Sequence, residues 1–129
     1  NLRELFPDRC TSPVSGLDYY TVVGKSRISF NKHADRSLGN IGNLRLFEAT
    51  GMGSCLLTDY GQNIHDLFEP DAEVVAYRSV GEAINKICFL LENESARQAV
   101  AIAGQKKTLR SHTIRNRCEL INDEIRMRL

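Results

Sequence analysis

Asn43-Leu-Arg-Leu-Phe-Glu-Ala-Thr-Gly-Met-Gly-Ser-Cys-Leu-Leu-Thr-Asp59 decides the fold of this chain. Asn43 suits a helix N-cap, because its side-chain oxygen can accept from first-turn amides that lack an intrahelical partner. Leu44–Thr50 reads as a short helix, with Gly51 as its stop. Cys55-Leu-Leu-Thr-Asp59 is an apolar run between turn signals. Such a run fits a strand covered on both faces, which is how strands of a parallel sheet are buried.

Working outward, Ile28-Ser-Phe-Asn31 alternates like a strand, and residues 33–43 form a loop rich in Gly, Asn and other polar residues. Before it, Ser15 and Asp18 suggest a capping box for a helix through Leu17, Tyr20 and Val23 that Gly24 ends. Residues 1–15, with Pro7 and Pro13, form an entry segment. Downstream, Gly61 interrupts the chain, and Asn63 to Phe68 allows one or two helical turns before Pro70. Glu73–Tyr77 is a third strand. Ser79 and Glu82 make a capping box for a helix with Val80, Ala83, Ile84, Ile87 and Leu91 at helical spacing. Ser95 and Gln98 repeat that box ahead of a small-residue face of Ala96, Ala99, Val100 and Ala103. Ile114, Cys118, Ile121 and Ile125 mark a last helix.

Strands alternating with helices require crossover connections, so the expected class is an α/β layer fold with a short parallel sheet. The layout is an entry segment at 1–15, an α/β core at 16–92 and C-terminal helices at 93–129. Doubly wound domains usually have five or six strands. With three, early strands are expected to lie outside this chain. A start at Asn1 rather than Met agrees with a processed or excised piece.

Composition narrows the function classes. Of 129 residues, 42% are hydrophobic and 26% charged, which excludes disordered, collagenous and coiled-coil chains. A net charge of +1 gives no bulk attraction to nucleic acid or anionic membrane. No apolar run approaches the ~18 residues of a membrane span, and the opening residues lack a signal peptide's apolar core. Cys10, Cys55, Cys88 and Cys118 are widely spaced without a CxxC, so reduced thiols in a cytoplasmic protein are expected rather than a zinc site; a disulfide pair is the alternative. His33, His65 and His112 are scattered and read as loop or surface residues. The basic excess of residues 105–129, seven against three, reads as a solvated helix face.

In open parallel sheets ligands bind at the carboxyl ends of the strands. Gly39-Asn-Ile-Gly-Asn43 offers amides and a helix N-terminus to an anion, and Gly42 would let a phosphate come close. Arg45 can pair with phosphate, and Glu48, on nearly the same face, can accept from sugar hydroxyls. The bland alternative is a capped turn followed by a surface Arg45–Glu48 ion pair. Asp59 either touches a ligand or caps the next turn. Lys32 and His33 read as a solvated loop, with a phosphate contact as the alternative. Tyr60 and Tyr77 either stack on a base or pack in the core, and Lys25 and Arg27 are surface residues.

Residues 42–60 resemble the core motif of the CgeB-like (spore maturation protein) glycosyltransferases, roughly N-x-R-x-F-E-A-x-x-x-G followed by L-L-T-D. Ser26-Arg-Ile-Ser-Phe-Asn31 is similar to that group's S-K-I-x-L-N strand. Phe68-Glu-Pro-Asp-Ala-Glu-Val-Val-Ala-Tyr77 resembles its L-F-x-P-G-x-E-V-V-x-Y segment, and Ala101 to Thr113 its A-x-x-G-x-x-x-x-L-x-x-H-T helices. The likeness runs from about Gly16 to near residue 121.

The resemblance implies a Rossmann-like, three-layer domain, the C-terminal donor-binding half of a two-domain GT-B enzyme. The acceptor domain would precede it, and a nucleotide diphosphate sugar would be the donor. It implies that Glu48 holds the nucleotide ribose as the second Glu of an E-x7-E motif, and that the helix start at Asn43 and Leu44 carries the diphosphate. The first Glu of that motif is replaced here by Asn40. The donor-binding candidates are Asn40, Gly42, Asn43, Leu44, Arg45, Glu48 and Asp59. No catalytic base is assigned, and neither a metal nor another cofactor is expected, because a helix dipole and basic side chains can stabilise a leaving diphosphate. The piece is expected to be inactive alone. Asn40 keeps open a non-catalytic α/β binding module. A receiver domain phosphorylated at Asp59 is disfavoured, because Asn31-Lys32-His33 replaces the acidic pair that Mg²⁺ would need.

Overall fold

The computed structural model describes residues 2–33 and 38–129. Three strands, β1 (Ile28–Asn31), β2 (Cys55–Asp59) and β3 (Val75–Tyr77), form one parallel sheet in that order. The register pairs Asn31 with Thr58 and Asp59 with Tyr77, so the three carboxyl ends share one rim. The fold is the expected Rossmann-like α/β class. Of the loop read at 33–43, residues 34–37 lie outside the described residues.

The central strand explains the layers. Cys55 and Leu57 face one side of the sheet, while Leu56 faces the other, and all are fully buried. On the Leu56 side pack Val23 of α2 (Gly16–Lys25), Leu46 and Ala49 of α3 (Leu44–Gly51), Ile64 of α4 (Ile64–Leu67), and Phe68. On the Cys55 side pack Ala83 and Leu90 of α5 (Val80–Glu92) and Val100 of α6 (Glu94–Ser111). Burial pushes the Cys55 thiol up to about 11, although Arg97 pulls it the other way. Cys55 is therefore a protonated core residue.

Helix boundaries differ from the sequence reading in instructive ways. The entry segment contains a short helix, α1 (Leu2–Leu5), and a 3-10 turn at Pro7–Arg9. Helix α2 continues through Gly24 to Lys25, and Ser15 makes no side-chain cap. Asn43 does cap α3, accepting from the Leu46 amide at 3.3 Å. Gly51 stays inside that helix. The reversal falls at Gly53, whose φ of +77° suits glycine, while the amides of Gly53 and Ser54 bond back to Thr50 and Ala49. Strand β3 is shorter than Glu73–Tyr77, because Asp71 turns the chain and bonds Val74.

Ser79 caps α5 through the Glu82 amide, but the Glu82 carboxylate returns to the Arg78 amide at 2.8 Å, not to that of Ser79. Helix α6 begins at Glu94, so Ser95 is not its cap; Gln98 bonds the Glu94 side chain instead. Its buried face is Arg97, Val100, Gly104 and Thr108, so Val100 is buried as read, while Ala96 and Ala103 are only half-buried and Ala99 is exposed. Packing rotates the helix: a Cβ at Gly104 would collide with the Glu73 carbonyl oxygen. Thr108 meets Thr50 hydroxyl to hydroxyl at 2.6 Å, and Gln105 donates to the Gly51 carbonyl. Buried Arg97 donates to the Leu90 carbonyl at 2.6 Å, satisfying the end of α5. Helix α6 thus ties α3 to α5.

The last helix, α7 (Ile114–Arg128), is capped by a reciprocal Thr113–Asn116 box. None of its residues is buried, so the described residues leave the stripe of Ile114, Cys118, Ile121 and Ile125 uncovered. Among the described residues no helix is long and apolar enough to cross a membrane.

Candidate functional site

The rim is organised around His33, which the sequence reading left as a solvated loop residue. It is 8% exposed. Its Nδ1 lies 2.7 Å from Asp59 Oδ1, and its backbone N–H donates to both Asp59 oxygens at 3.1 and 3.0 Å. On the far side of the ring, Nε2 accepts from the Gly42 amide at 3.2 Å. These partners select one tautomer: Nδ1 carries the proton toward Asp59, and the Nε2 lone pair faces the start of α3. Asp59 is thus engaged by His33 rather than by the next turn, and its quarter-exposed side chain also lines the second pocket described below. Burial pushes its carboxyl up, but hydrogen bonds from the ring and backbone of His33 outweigh that and hold it below the ordinary carboxylate range.

Asn31 makes the second joint. Its buried amide donates to Thr58 Oγ1 at 3.2 Å and exchanges hydrogen bonds with the Asn43 side chain at 3.3 and 3.1 Å. Asn43 therefore caps α3 while its own side chain is tied to the end of β1. The loop ahead of it is held by Asn63, which accepts from the Ile41 amide and donates to the Ile41 carbonyl, both at 2.8 Å. Among the described residues a Cβ at Gly42 would meet nothing within 4 Å.

One turn into α3, Glu48 accepts from Tyr19 at 3.1 Å and Tyr20 at 3.2 Å, both on α2. The Tyr20 hydroxyl is correspondingly raised, first by its hydrogen bond to Glu48 and then by that charge. The surface Arg45–Glu48 pair gives way to this tyrosine clamp. Glu48 lines a cleft of about 800 Å³ along α3 with Leu44, Phe47, Tyr20, His112 and Arg117. Arg45 and Asn40 are exposed and line neither this cleft nor the pocket described next. His112 donates through Nε2 to the Leu67 carbonyl at 2.7 Å; burial holds its ring below the ordinary range, so it is neutral near pH 7.

A second pocket of about 450 Å³ lies across the rim, lined by Lys32, Asp59, Tyr60, Tyr77, Arg78, Ser79 and Val80. Tyr77 is buried, stacks on Phe30 at 5.5 Å and donates to the Asn31 carbonyl at 3.0 Å, so it packs rather than offering a free face. Tyr60 lies under the Arg78 guanidinium, whose carbon is 3.3 Å from the ring centroid.

The structure therefore brings Gly42, Asn43 and Asp59 together through His33, and sets Leu44 and Glu48 on the cleft below. His33 was missed because the loop between it and Gly42 hides their proximity; the signal present was its place two residues past a strand end.

Residues 4–123 match the glycosyl transferase-like family, and the chain belongs to it. No curated protein and no solved structure matches the chain. A parallel α/β rim with a capped helix start and a carboxylate one turn inside it thus belongs to a glycosyl-transfer family.

Proposed function

We propose that this chain is the nucleotide-sugar donor-binding domain of a CgeB-like glycosyltransferase of GT-B architecture, working with an acceptor domain of the same protein. The observation that carries the reading is Glu48. Its carboxylate lines a cleft, is held by two tyrosine hydroxyls, and sits one turn below the capped start of α3. A ribose would replace or share those hydroxyl donors at Glu48, while the donor diphosphate lies over Gly42, Asn43 and Leu44. The Gly42 and Asn43 amides already point at His33 Nε2, so the Leu44 and Arg45 amides and the positive helix end would meet the charge that develops on the leaving diphosphate. His33 and Asp59 act behind this surface by fixing the Gly42 amide. Asn40, exposed where the resemblance implies a Glu, leaves sugar-directed chemistry to other groups.

The test is titration with UDP and GDP, followed by amide NMR. Shifts concentrated at residues 39–48, with binding weakened at least about tenfold in Glu48→Gln, are expected for a charged acceptor of two sugar hydroxyls. An unchanged affinity in that variant would remove Glu48 from the site. Donor hydrolysis by the same sample separates an active domain from a binding module, the reading that Asn40 favours.

A further inference from the structure

We propose that the second pocket, across the rim from the α3 cleft, is an anion subsite, centred on Arg78, for a carboxylate or phosphate carried by a sugar substrate. The sugar nature of that substrate rests on the glycosyl-transfer reading; the subsite itself rests on three observations.

The first is the pose of Arg78. Its guanidinium lies on the Tyr60 ring at 3.3 Å. Stacking fixes the plane of the fork and leaves its N–H groups, which radiate within that plane, available for bidentate bonding. An arginine held this way has already lost much of the side-chain freedom that anion binding would otherwise cost.

The second is its unmatched charge. Among the described residues Arg78 forms no ion pair. The Glu82 carboxylate feels the Arg78 charge, but it accepts the Arg78 backbone amide and pairs with Lys86 at 3.1 Å rather than bonding the guanidinium. Asp59, the carboxylate lining the pocket, is taken up by His33 at 2.7 Å.

The third is convergence. Lys32 from the end of β1 and Ser79 and Val80 from the start of the 13-residue α5 line the same pocket as Arg78. Two cationic side chains and a positive helix end thus meet over about 450 Å³, enough for a sugar-sized acid. The donor-side cleft lies on the α3 face, so an anion here would sit across the rim from the nucleotide. That placement suits either an acidic donor sugar or an acidic acceptor.

The experiment separates the sources. Glucuronic acid, glucose 6-phosphate and neutral glucose are titrated singly, then UDP-glucuronic acid against UDP-glucose. The Arg78 Nε–H, the Tyr60 ring and amides 78–82 are followed by NMR. An acceptor-borne anion is expected to move these signals with the free sugar acids and not with glucose. A donor-borne anion is expected to move them only with UDP-glucuronic acid, together with residues 39–48. In either case Arg78→Gln should weaken the response at least about tenfold, and Arg78→Lys should restore it poorly because the fork is lost. Tyr60→Leu, which frees the guanidinium, should weaken it without removing the charge. Equal response to glucose, no response to any acid, or full retention in Arg78→Gln would each overturn the subsite. Failure of the donor reading would appear separately, as unmoved signals at 39–48 with UDP and GDP.

Discussion

His33→Ala should be among the most damaging single substitutions at the rim, and its cost follows from the bonds it carries. The side chain is almost fully enclosed and makes one charge-assisted bond to Asp59 and one acceptor bond to the Gly42 amide. Removal leaves a partly buried carboxylate short of a donor and an amide without its acceptor. A hydrogen bond to a charged group contributes roughly 1.5–3 kcal/mol, and a stranded polar group costs about 1–3 kcal/mol. Water reaching the quarter-exposed Asp59 offsets part of this, so a loss of about 2–4 kcal/mol is expected. The measurement is urea denaturation of wild type, His33→Ala, Asp59→Ala and the double variant. The cycle should show a coupling of at least about 1 kcal/mol between the two residues. The coupling should also depend on pH with a definite sign. The folded-state pKa of Asp59 is depressed, so its contribution is present above the ordinary carboxylate value and is lost as pH falls through the folded value. Additive single losses, or a His33→Ala variant within about 0.5 kcal/mol of wild type, would refute the claim that this pair fastens the rim.

Three further outcomes follow from the same geometry. Gly104→Ala should destabilise by roughly 1–3 kcal/mol despite alanine's better helix propensity, because the new Cβ collides with the Glu73 carbonyl; chemical denaturation reads this directly. Thr50→Val should strand the buried Thr108 hydroxyl and lose about 1–2 kcal/mol, Thr108→Val should cost less because Thr50 still donates to the Leu46 carbonyl, and the double variant should recover part of the Thr50→Val loss, as a denaturant cycle would show. Ile125→Glu on α7 should stay within about 0.5 kcal/mol in a monomer, since that side chain is half exposed and packs in neither core, whereas Leu46→Ala should lose roughly 2–5 kcal/mol. Comparable urea midpoints for the last two would contradict the packing described here.

Periodicity and caps made much of the architecture legible. The apolar run Cys55–Leu57 could be buried on both sides only between helical layers, and Asn43 and Ser79 are caps whose chemistry is local. The boundaries that shifted were those where a distant contact decided. Gly24 reads as a stop, yet α2 runs on through it. Ala96, Ala99, Val100 and Ala103 read as a packing face, yet of these only Val100 is buried; Gly104 must meet the Glu73 carbonyl, and that turns Arg97 and Thr108 inward as well. The apolar stripe of α7 was visible in sequence, but the fold leaves it exposed.

The candidate site divides the same way. Gly42, Asn43 and Glu48 were readable because helix caps and a one-turn offset are properties of adjacent residues. His33, Tyr19, Asn63 and Arg78 were not, because their roles depend on partners 26, 29, 22 and 18 positions away. By itself the sequence determined the three strands, the helices from α2 onward and the parallel pairing, since patterning and capping act over a few residues, while α1 in the entry segment went unread. Only the tertiary structure decided that His33 joins Asp59 to the start of α3, that tyrosines rather than Arg45 clamp Glu48, and that Arg78 lies flat on Tyr60. Hydrogen bonds and ring stacking act over a few ångströms in space, and chain separation carries no record of which residues folding will bring that close.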